Sequence, residues 1–178
     1  MKFFQSIKLS TFSIFFALIF VSCSATPVQE KSADADNSQT VSSEDPKVQA
    51  KKILDAYLEI KNALVQTDGE VASNGAEKLL TILGENKDEL IEKIRFDAEH
   101  IAETKDAGHQ RDHFNTLSDN VYALVKKTSA NETTVYRQFC PMAMNSKGAY
   151  WLSAEKEVNN PYFGDKMLHC GMVKEELN

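Results

Sequence analysis

Residues 45–67, DPKVQAKKILDAYLEIKNALVQT, carry the clearest folding signal in the chain. Asp45 can accept hydrogen bonds from the free amides that begin a helix, and the ring of Pro46 already holds the φ angle of a first helical turn. The apolar residues that follow recur at helical spacing: Ile53, Tyr57, Ile60 and Leu64. The pattern therefore predicts an amphipathic helix from Pro46 to about Thr67, with one face turned toward a core.

Three further segments repeat this periodicity. Asp68 is placed to cap a second helix that ends at Gly84, and Asn86 is placed to cap a third. Lys126 and Lys127 complement the helix dipole at the C-terminus of a fourth predicted helix. The predicted inward residues are Val71, Gly75, Leu79 and Leu83, then Leu90, Ile94, Ala98 and Ile101, then Phe114, Leu117, Val121 and Leu124. Four short amphipathic helices predict an antiparallel bundle over residues 47–128.

The pattern changes after the fourth helix. Residues 133–139 and 149–152 are rich in β-branched and aromatic side chains, which predicts two strands, and residues 166–174 are predicted to form a last strand that pairs with the first. The region 129–178 has too few strands for a core of its own, so we expect it to pack on the bundle within one domain, 47–178. The predicted fold class is mainly α, an α+β chain with a small β-hairpin-like appendage that carries the Cys/Met motifs.

The N-terminal segment has the composition of an export signal. A positively charged start precedes an apolar run, residues 9–21, that is too short to span a bilayer. The ending FVSC, residues 20–23, resembles the bacterial lipobox, in which the cysteine receives a diacylglycerol. We therefore expect a signal peptide over residues 1–22 and a lipid anchor on Cys23.

Residues 23–46 should then form a tether between the membrane and the domain. Their Ser, Ala, Thr, Asp and Gln, with no aromatic residue, cannot bury enough apolar surface to fold. Ser24 after the lipidated cysteine resembles the sorting pattern for the outer membrane. The expected location is the cell envelope, on the outer membrane and facing the periplasm.

Charge and motifs exclude several functions. The chain has 20 Lys and Arg against 26 Asp and Glu, a net charge of −6, so it lacks the basic face that nucleic acid requires. It contains no nucleophile elbow, no phosphate-binding glycine loop and no His-Glu-x-x-His motif. We predict that the protein neither binds nucleic acid nor acts as an enzyme.

Sulfur is concentrated in the last third of the chain. Apart from the initiator, the methionines are Met142, Met144, Met167 and Met172, and they flank Cys140 and Cys170. Thiolates and thioethers are soft ligands that favour Cu(I) over hard cations. Alternate residues of a strand point to one side, so each Cys-x-Met pair could present both sulfurs together. The clustering predicts a copper site.

The two cysteines also allow another interpretation. Export leads to an oxidising compartment, and once Cys23 is lipidated the remaining cysteines form an even pair. A Cys140–Cys170 disulfide would leave only thioethers and His169 for a metal. The sequence leaves both interpretations open.

The four histidines carry less information. His109 and His113 are four residues apart, which lets two imidazoles bind one ion, but no third ligand is near them in the sequence. We interpret these two and His100 as solvated surface. His169 joins the sulfur ligands only if the backbone bulges there, so we rank it as an auxiliary ligand.

Several motifs in the last third resemble a bacterial domain family of unknown function. They are QFCPMA at 138–143, GAYWLS at 148–153, NPYFGDKML at 160–168, and Cys170-Gly171. Members of that family occur as stand-alone exported proteins and at the C-terminus of periplasmic adaptor subunits, also called membrane fusion subunits, of copper and silver efflux pumps. The resemblance covers roughly residues 46–177.

The resemblance implies a periplasmic heavy-metal-binding module, with Cu(I) as the favoured ion. Its ligands would be Cys140, Met142, Met167 and Cys170. Met144 and Met172 are additions to the family's pattern, and together with His169 they are the auxiliary candidates of this chain. The implied partner is a separate heavy-metal efflux adaptor or copper transporter. The alternative function is a disulfide-stapled envelope module that binds a protein partner and no metal.

Overall fold

The computed structural model describes residues 45–178, and the predicted signal peptide, Cys23 and nearly all of the tether lie outside them. Four helices come first: α1 Pro46–Val65, α2 Gly69–Leu83, α3 Glu89–Ala102 and α4 Ala107–Thr128. Three strands follow: β1 Val135–Cys140, β2 Ala149–Ser153 and β3 Met172–Leu177. They form an antiparallel sheet in the order β2-β1-β3. The mainly helical fold with a small C-terminal β region is confirmed.

An aspartate caps the N-terminus of each of these four helices. The carboxylates of Asp45, Asp68, Asp88 and Asp106 accept hydrogen bonds from backbone amides of the first turn at 2.8–3.0 Å. The prediction of Asn86 as the cap of α3 is wrong. Asn86 instead accepts a hydrogen bond from the amide of Asp88, and the charged carboxylate interacts more favourably with the helix dipole.

The bundle core contains nearly all of the predicted inward residues. Val71 is the clearest exception, because its side chain is 50% exposed. A spacing of four residues overshoots one helical turn by about 40°, so Val71 is displaced by roughly 120° from Leu83. The buried face of α2 instead contains Ala72, Ala76, Leu79 and Leu83, which are separated by four, three and four residues.

A chain of aromatic rings joins the bundle to the β region. Phe114 on α4 stacks on Tyr57 of α1, with ring centroids 5.1 Å apart, and lies 5.8 Å from Tyr162. Tyr162 in turn makes an edge contact with Trp151 of β2 at 6.0 Å. The hydroxyl of Tyr57 also accepts a hydrogen bond from the amide of Leu152. The helices and the sheet therefore share one core.

One lysine lies inside this core. Lys61 is 1% exposed, and its Nζ lies 3.2 Å from Glu155 Oε2 and 3.5 Å from Ser153 Oγ. Burial lowers the pKa of Lys61, against the opposing effect of Glu155. Since Glu155 is itself half exposed, the pair compensates only in part for the lost hydration of the ammonium.

Replacing Lys61 with methionine is expected to raise the free energy of unfolding by about 1–2 kcal/mol near pH 7, because the aliphatic stem stays and the buried charge goes. At pH values between the lowered pKa of Lys61 in the folded state and its ordinary value of 10.5, the unfolded state binds more protons than the folded state. Wild-type stability should therefore rise as the pH approaches that value, and the Lys61→Met variant should lack this rise. Urea unfolding at several pH values measures both effects. The exposed Lys147→Met variant is the control, and a large loss of stability in Lys61→Met would contradict the prediction.

Within the described residues, no helix has the length and apolarity needed to cross a bilayer.

Candidate metal centre

Cys140 ends β1 on the buried face of the sheet. Gln138 and Cys140 point to the same side of the strand and both are 0% exposed. Ala149 and Trp151, their partners on β2, share that face and are buried as well. The thiol of Cys140 is thus enclosed between the sheet and the segment that links β2 to β3.

Asn160 holds this linking segment in shape. Its side-chain amide donates to the carbonyl of Cys170 at 2.7 Å, and its side-chain oxygen accepts from the amide of Tyr162 at 2.8 Å. The backbone amide of Asn160 donates to the carbonyl of Leu168 at 2.7 Å. Asn160 is fully buried, so these hydrogen bonds are shielded from water and fix where Cys170 lies.

The bundle fixes the other side of the same segment. Arg111 on α4 donates from Nε to the carbonyl of Pro161 at 2.7 Å and from Nη2 to the carbonyl of Leu64 at 3.0 Å. Gly164 has φ +55°, and a Cβ there would collide with the hydroxyl of Thr67. One guanidinium therefore ties the linking segment to the end of α1.

Gly171 lets the chain pass close to the sheet beside the cysteines. Its φ is +152°, and an added Cβ would lie 2.9 Å from Cη2 of Trp151 and 3.0 Å from the carbonyl oxygen of Phe139. A larger residue here would force either the ring of Trp151 or the backbone beside Cys170 to shift.

These contacts bring the two cysteines together. Their Sγ atoms lie 3.0 Å apart across 30 residues of chain, and both are free thiols. A disulfide bond measures about 2.05 Å. Two thiolates bound to one tetrahedral ion by bonds of about 2.3 Å stand about 3.8 Å apart. The pair therefore lies between these two geometries, as a contact between thiols.

The contact with Cys140 also affects the protonation of Cys170. The hydrogen bond to Cys140 raises the pKa of Cys170, and burial together with the charge of a Cys140 thiolate raises it further. The thiol of Cys170 thus stays protonated to higher pH than an isolated cysteine. A metal ion that binds both sulfurs must displace these protons.

The methionines do not follow the expected strand geometry. The prediction that each Cys-x-Met pair lies along an extended strand is wrong, because β1 ends at Cys140 and Cys170 precedes β3. Pro141 cannot donate to a neighbouring strand, which explains why β1 stops there. The predicted strand over residues 166–174 is likewise wrong at its start, since residues 164–166 form a 3₁₀ turn and β3 begins at Met172.

Each candidate thioether has a different environment. Met167 is half-buried and begins the turn that carries Cys170, whose amide donates to the carbonyl of Met167 at 3.0 Å. Met142 is 51% exposed, and with the half-buried Met144 it lines an open hollow beside Arg111. Met172 pairs opposite Phe139 and so lies on the sheet face away from Cys140.

The auxiliary candidate His169 is exposed, with its Nδ1 2.9 Å from the carbonyl oxygen of Val158. Over residues 45–178, no three or more His, Cys, Asp or Glu side chains already form a metal-binding group. Cys140 and Cys170 therefore supply the first two ligands of the candidate centre, and methionine thioethers would have to supply the remaining ligands.

The other three histidines lie at the surface, exposed or partly exposed, and they lie together. His100 on α3 stacks on His113 of α4 with ring centroids 4.3 Å apart, and His109 lies 5.0 Å from His113. The signal for this contact was the antiparallel arrangement of α3 and α4. The last turn of α3 therefore lies beside the first turns of α4, which places His100 near His109 and His113.

Comparison with known proteins addresses the helical part. Residues 53–133, just under half of the chain, match the model of a family described as protein of unknown function (DUF3347). This match includes Arg111 and Phe114 and ends before β1, so the Cys/Met region lies beyond it. No curated protein and no solved structure is significantly similar to the chain. The match confirms the resemblance to a domain family of unknown function, to which residues 53–133 of this chain are similar.

Proposed function

We propose that this protein is a cell-envelope lipoprotein that binds Cu(I) or Ag(I) through sulfur, for copper handling or efflux. The observation that supports it is the 3.0 Å approach of the thiols of Cys140 and Cys170. Soft thiolates and thioethers favour Cu(I) and Ag(I) over the hard cations Mg²⁺ and Ca²⁺. The ligands in this proposal are Cys140, Cys170, Met167 and Met142, with Met144 and His169 as auxiliaries. Met172 is left out, because it lies on the sheet face away from Cys140.

The ion would enter from the side of Cys170. Cys140 is fully buried, whereas Cys170 is half-buried and lies in the turn that begins at Met167. To hold an ion between them the sulfurs must separate by about 0.8 Å, given metal–thiolate bonds of about 2.3 Å. A small displacement of that turn would suffice, since Cys140 sits on the sheet.

The paired thiols predict proton release on binding. Because Cys170 stays protonated at neutral pH, binding one Cu(I) to the reduced wild type should release about one proton more than binding one Cu(I) to the Cys170→Ser variant. A pH indicator in weakly buffered, anaerobic solution counts these protons. Release of the same number from both proteins would exclude Cys170 as a thiolate ligand.

The direct test is a Cu(I) titration of reduced, full-length protein against a competing chelator. A Cys23→Ala background leaves Cys140 and Cys170 as the only thiols. Trp151 is the single tryptophan, and it is buried on the same sheet face as Cys140, so its fluorescence reports the site. We expect one Cu(I) per chain.

Matched variants test the ligand assignment. The double variant Cys140→Ser with Met167→Leu should lose the bound Cu(I). The variant Met172→Leu should keep it, because Met172 lies on the opposite face of the sheet. Unchanged stoichiometry in the double variant would overturn the assignment.

The proposed anchor and partner rest on the sequence. The lipobox-like residues 20–23 support attachment through Cys23, and the resemblance to adaptor-linked domains supports a separate efflux adaptor or copper transporter as the recipient of the ion. Wild-type protein expressed in bacteria should enter the detergent phase on phase separation, and Cys23→Ala should enter the aqueous phase. Equal partition of both would argue against the anchor.

The same thiol contact favours one alternative, a disulfide-stapled envelope module that binds a protein partner and no metal. Closing the bond needs the sulfurs to approach by about 1 Å. The bond would stabilise the β region by about 2–4 kcal/mol. Protein isolated without reductant would then contain no free thiol at these positions, and it would take up no Cu(I) after reduction.

A further inference from the structure

We propose that His100, His109 and His113 form a second metal site, for a divalent ion such as Zn²⁺ or Cu²⁺, that is independent of the cysteine pair. The three side chains come from two helices and meet beside the α3–α4 connection. Imidazole nitrogens suit Zn²⁺ and Cu²⁺, whereas Cu(I) prefers sulfur. The two sites would therefore select different ions.

The spacing of the rings supports this assignment. A Zn–N bond measures about 2.0–2.1 Å and an imidazole nitrogen stands about 1.1 Å from its ring centroid, so two rings on one tetrahedral ion have centroids roughly 5 Å apart. The His109 and His113 centroids are 5.0 Å apart, and those of His100 and His113 are 4.3 Å apart. The ring of His113 thus lies at roughly this spacing from both of the other rings.

The hydrogen bonds of two rings leave the appropriate nitrogen free. Nδ1 of His100 lies 2.8 Å from the carbonyl oxygen of Phe96, which can only accept, so Nδ1 carries the proton. Nδ1 of His113 faces Oδ1 of Asp97 at 3.4 Å. In each neutral ring Nε2 then holds the lone pair that a metal ion needs. A ligating histidine that donates its other N–H to a carbonyl or carboxylate is the usual arrangement around bound metals.

The carboxylate of Asp97 is already in place to orient the ring of His113 as a metal ligand. Its carboxylate is 3% exposed, and Oδ1 also accepts a hydrogen bond from the hydroxyl of Thr116 at 2.7 Å. A buried carboxylate directly behind an accessible imidazole orients the ring and increases its basicity.

The rings must turn to bind. His100 and His113 are stacked within 20° of parallel, and the described residues contain no ready-made group of three such ligands. His109 is exposed, His100 is partly exposed and the side chain of His113 is 20% exposed, so the rings of His100 and His109 can change rotamer at the surface. Binding should therefore break the stack between His100 and His113.

The test is a Zn²⁺ titration of the full-length protein, kept in mild detergent, against a chromophoric chelator. Wild type should bind one Zn²⁺ through this cluster, and the double variant His100→Asn with His113→Asn should bind it at least tenfold more weakly. His169→Asn is the matched control and should bind like wild type. The variant Cys140→Ser with Cys170→Ser should also keep this Zn²⁺, which separates the site from the proposed copper centre.

A second variant tests the same site even if the double variant does not fold. His109 is exposed, so His109→Asn should fold normally and still weaken Zn²⁺ binding about tenfold. Histidine ring signals in NMR spectra should shift for His100, His109 and His113 but not for His169. Wild-type affinity in both histidine variants, or no Zn²⁺ uptake by wild type, would overturn the proposal.

Discussion

The Phe114→Ala variant should lose about 3–5 kcal/mol of the free energy of unfolding, the range for removing a fully buried aromatic ring. Phe114 is 0% exposed and its ring lies between those of Tyr57 and Tyr162. The change would leave a cavity where the bundle meets the β region. The aromatic contacts on both sides of the ring would be lost together.

The matched control is Phe96→Ala, because Phe96 is 56% exposed on α3. Its stability should change by no more than about 0.5 kcal/mol. Urea unfolding should be followed by far-ultraviolet circular dichroism, which reports the helices, and by the fluorescence of Trp151, which reports the β region. The two curves should coincide in wild type, since one core joins both parts. Equal effects of the two substitutions would contradict the role of Phe114.

The helices were predictable because their signals are local. Capping aspartates, a proline in the first turn and apolar spacing act within one or two turns of the chain. The errors at Asn86 and Val71 came from the same local rules. Both Asn86 and Asp88 can cap α3, and the apolar residues of α2 fit two different sets of inward positions, one with Val71 and one with Ala72. Packing against the other helices decides between such alternatives, and the sequence of one helix does not contain that information.

The candidate site was less predictable. Both open interpretations, a copper site and a disulfide, required Cys140 to approach Cys170, and the structure supplies the cause of that approach in the buried hydrogen bonds of Asn160. The positions of the methionines depend on a turn at Pro141 and a 3₁₀ turn after Phe163, which strand alternation does not describe. The contact of His100 with His113 needed the pairing of two helices rather than the spacing within one.

Asn160→Asp should destabilise the protein by about 2–4 kcal/mol near pH 7 and weaken Cu(I) binding. The new carboxylate keeps the acceptor for the amide of Tyr162 but loses the donor to the carbonyl of Cys170. Two acceptors would then face each other in a fully buried place. The turn that carries Cys170 should move away from Cys140 as a result.

The pH dependence identifies this mechanism. Burial should raise the pKa of the new carboxyl in the folded state above its unfolded value of about 3.9, so the folded variant binds more protons in that range. Its stability should therefore fall as the pH rises through the raised pKa and recover on acidification, because a protonated carboxyl can again donate to Cys170. Asn159→Asp adds the same charge at the half-buried neighbouring position and should show little of this recovery. If both variants lose the same stability at every pH, the hydrogen bond from Asn160 to Cys170 does not hold the cysteine turn in place.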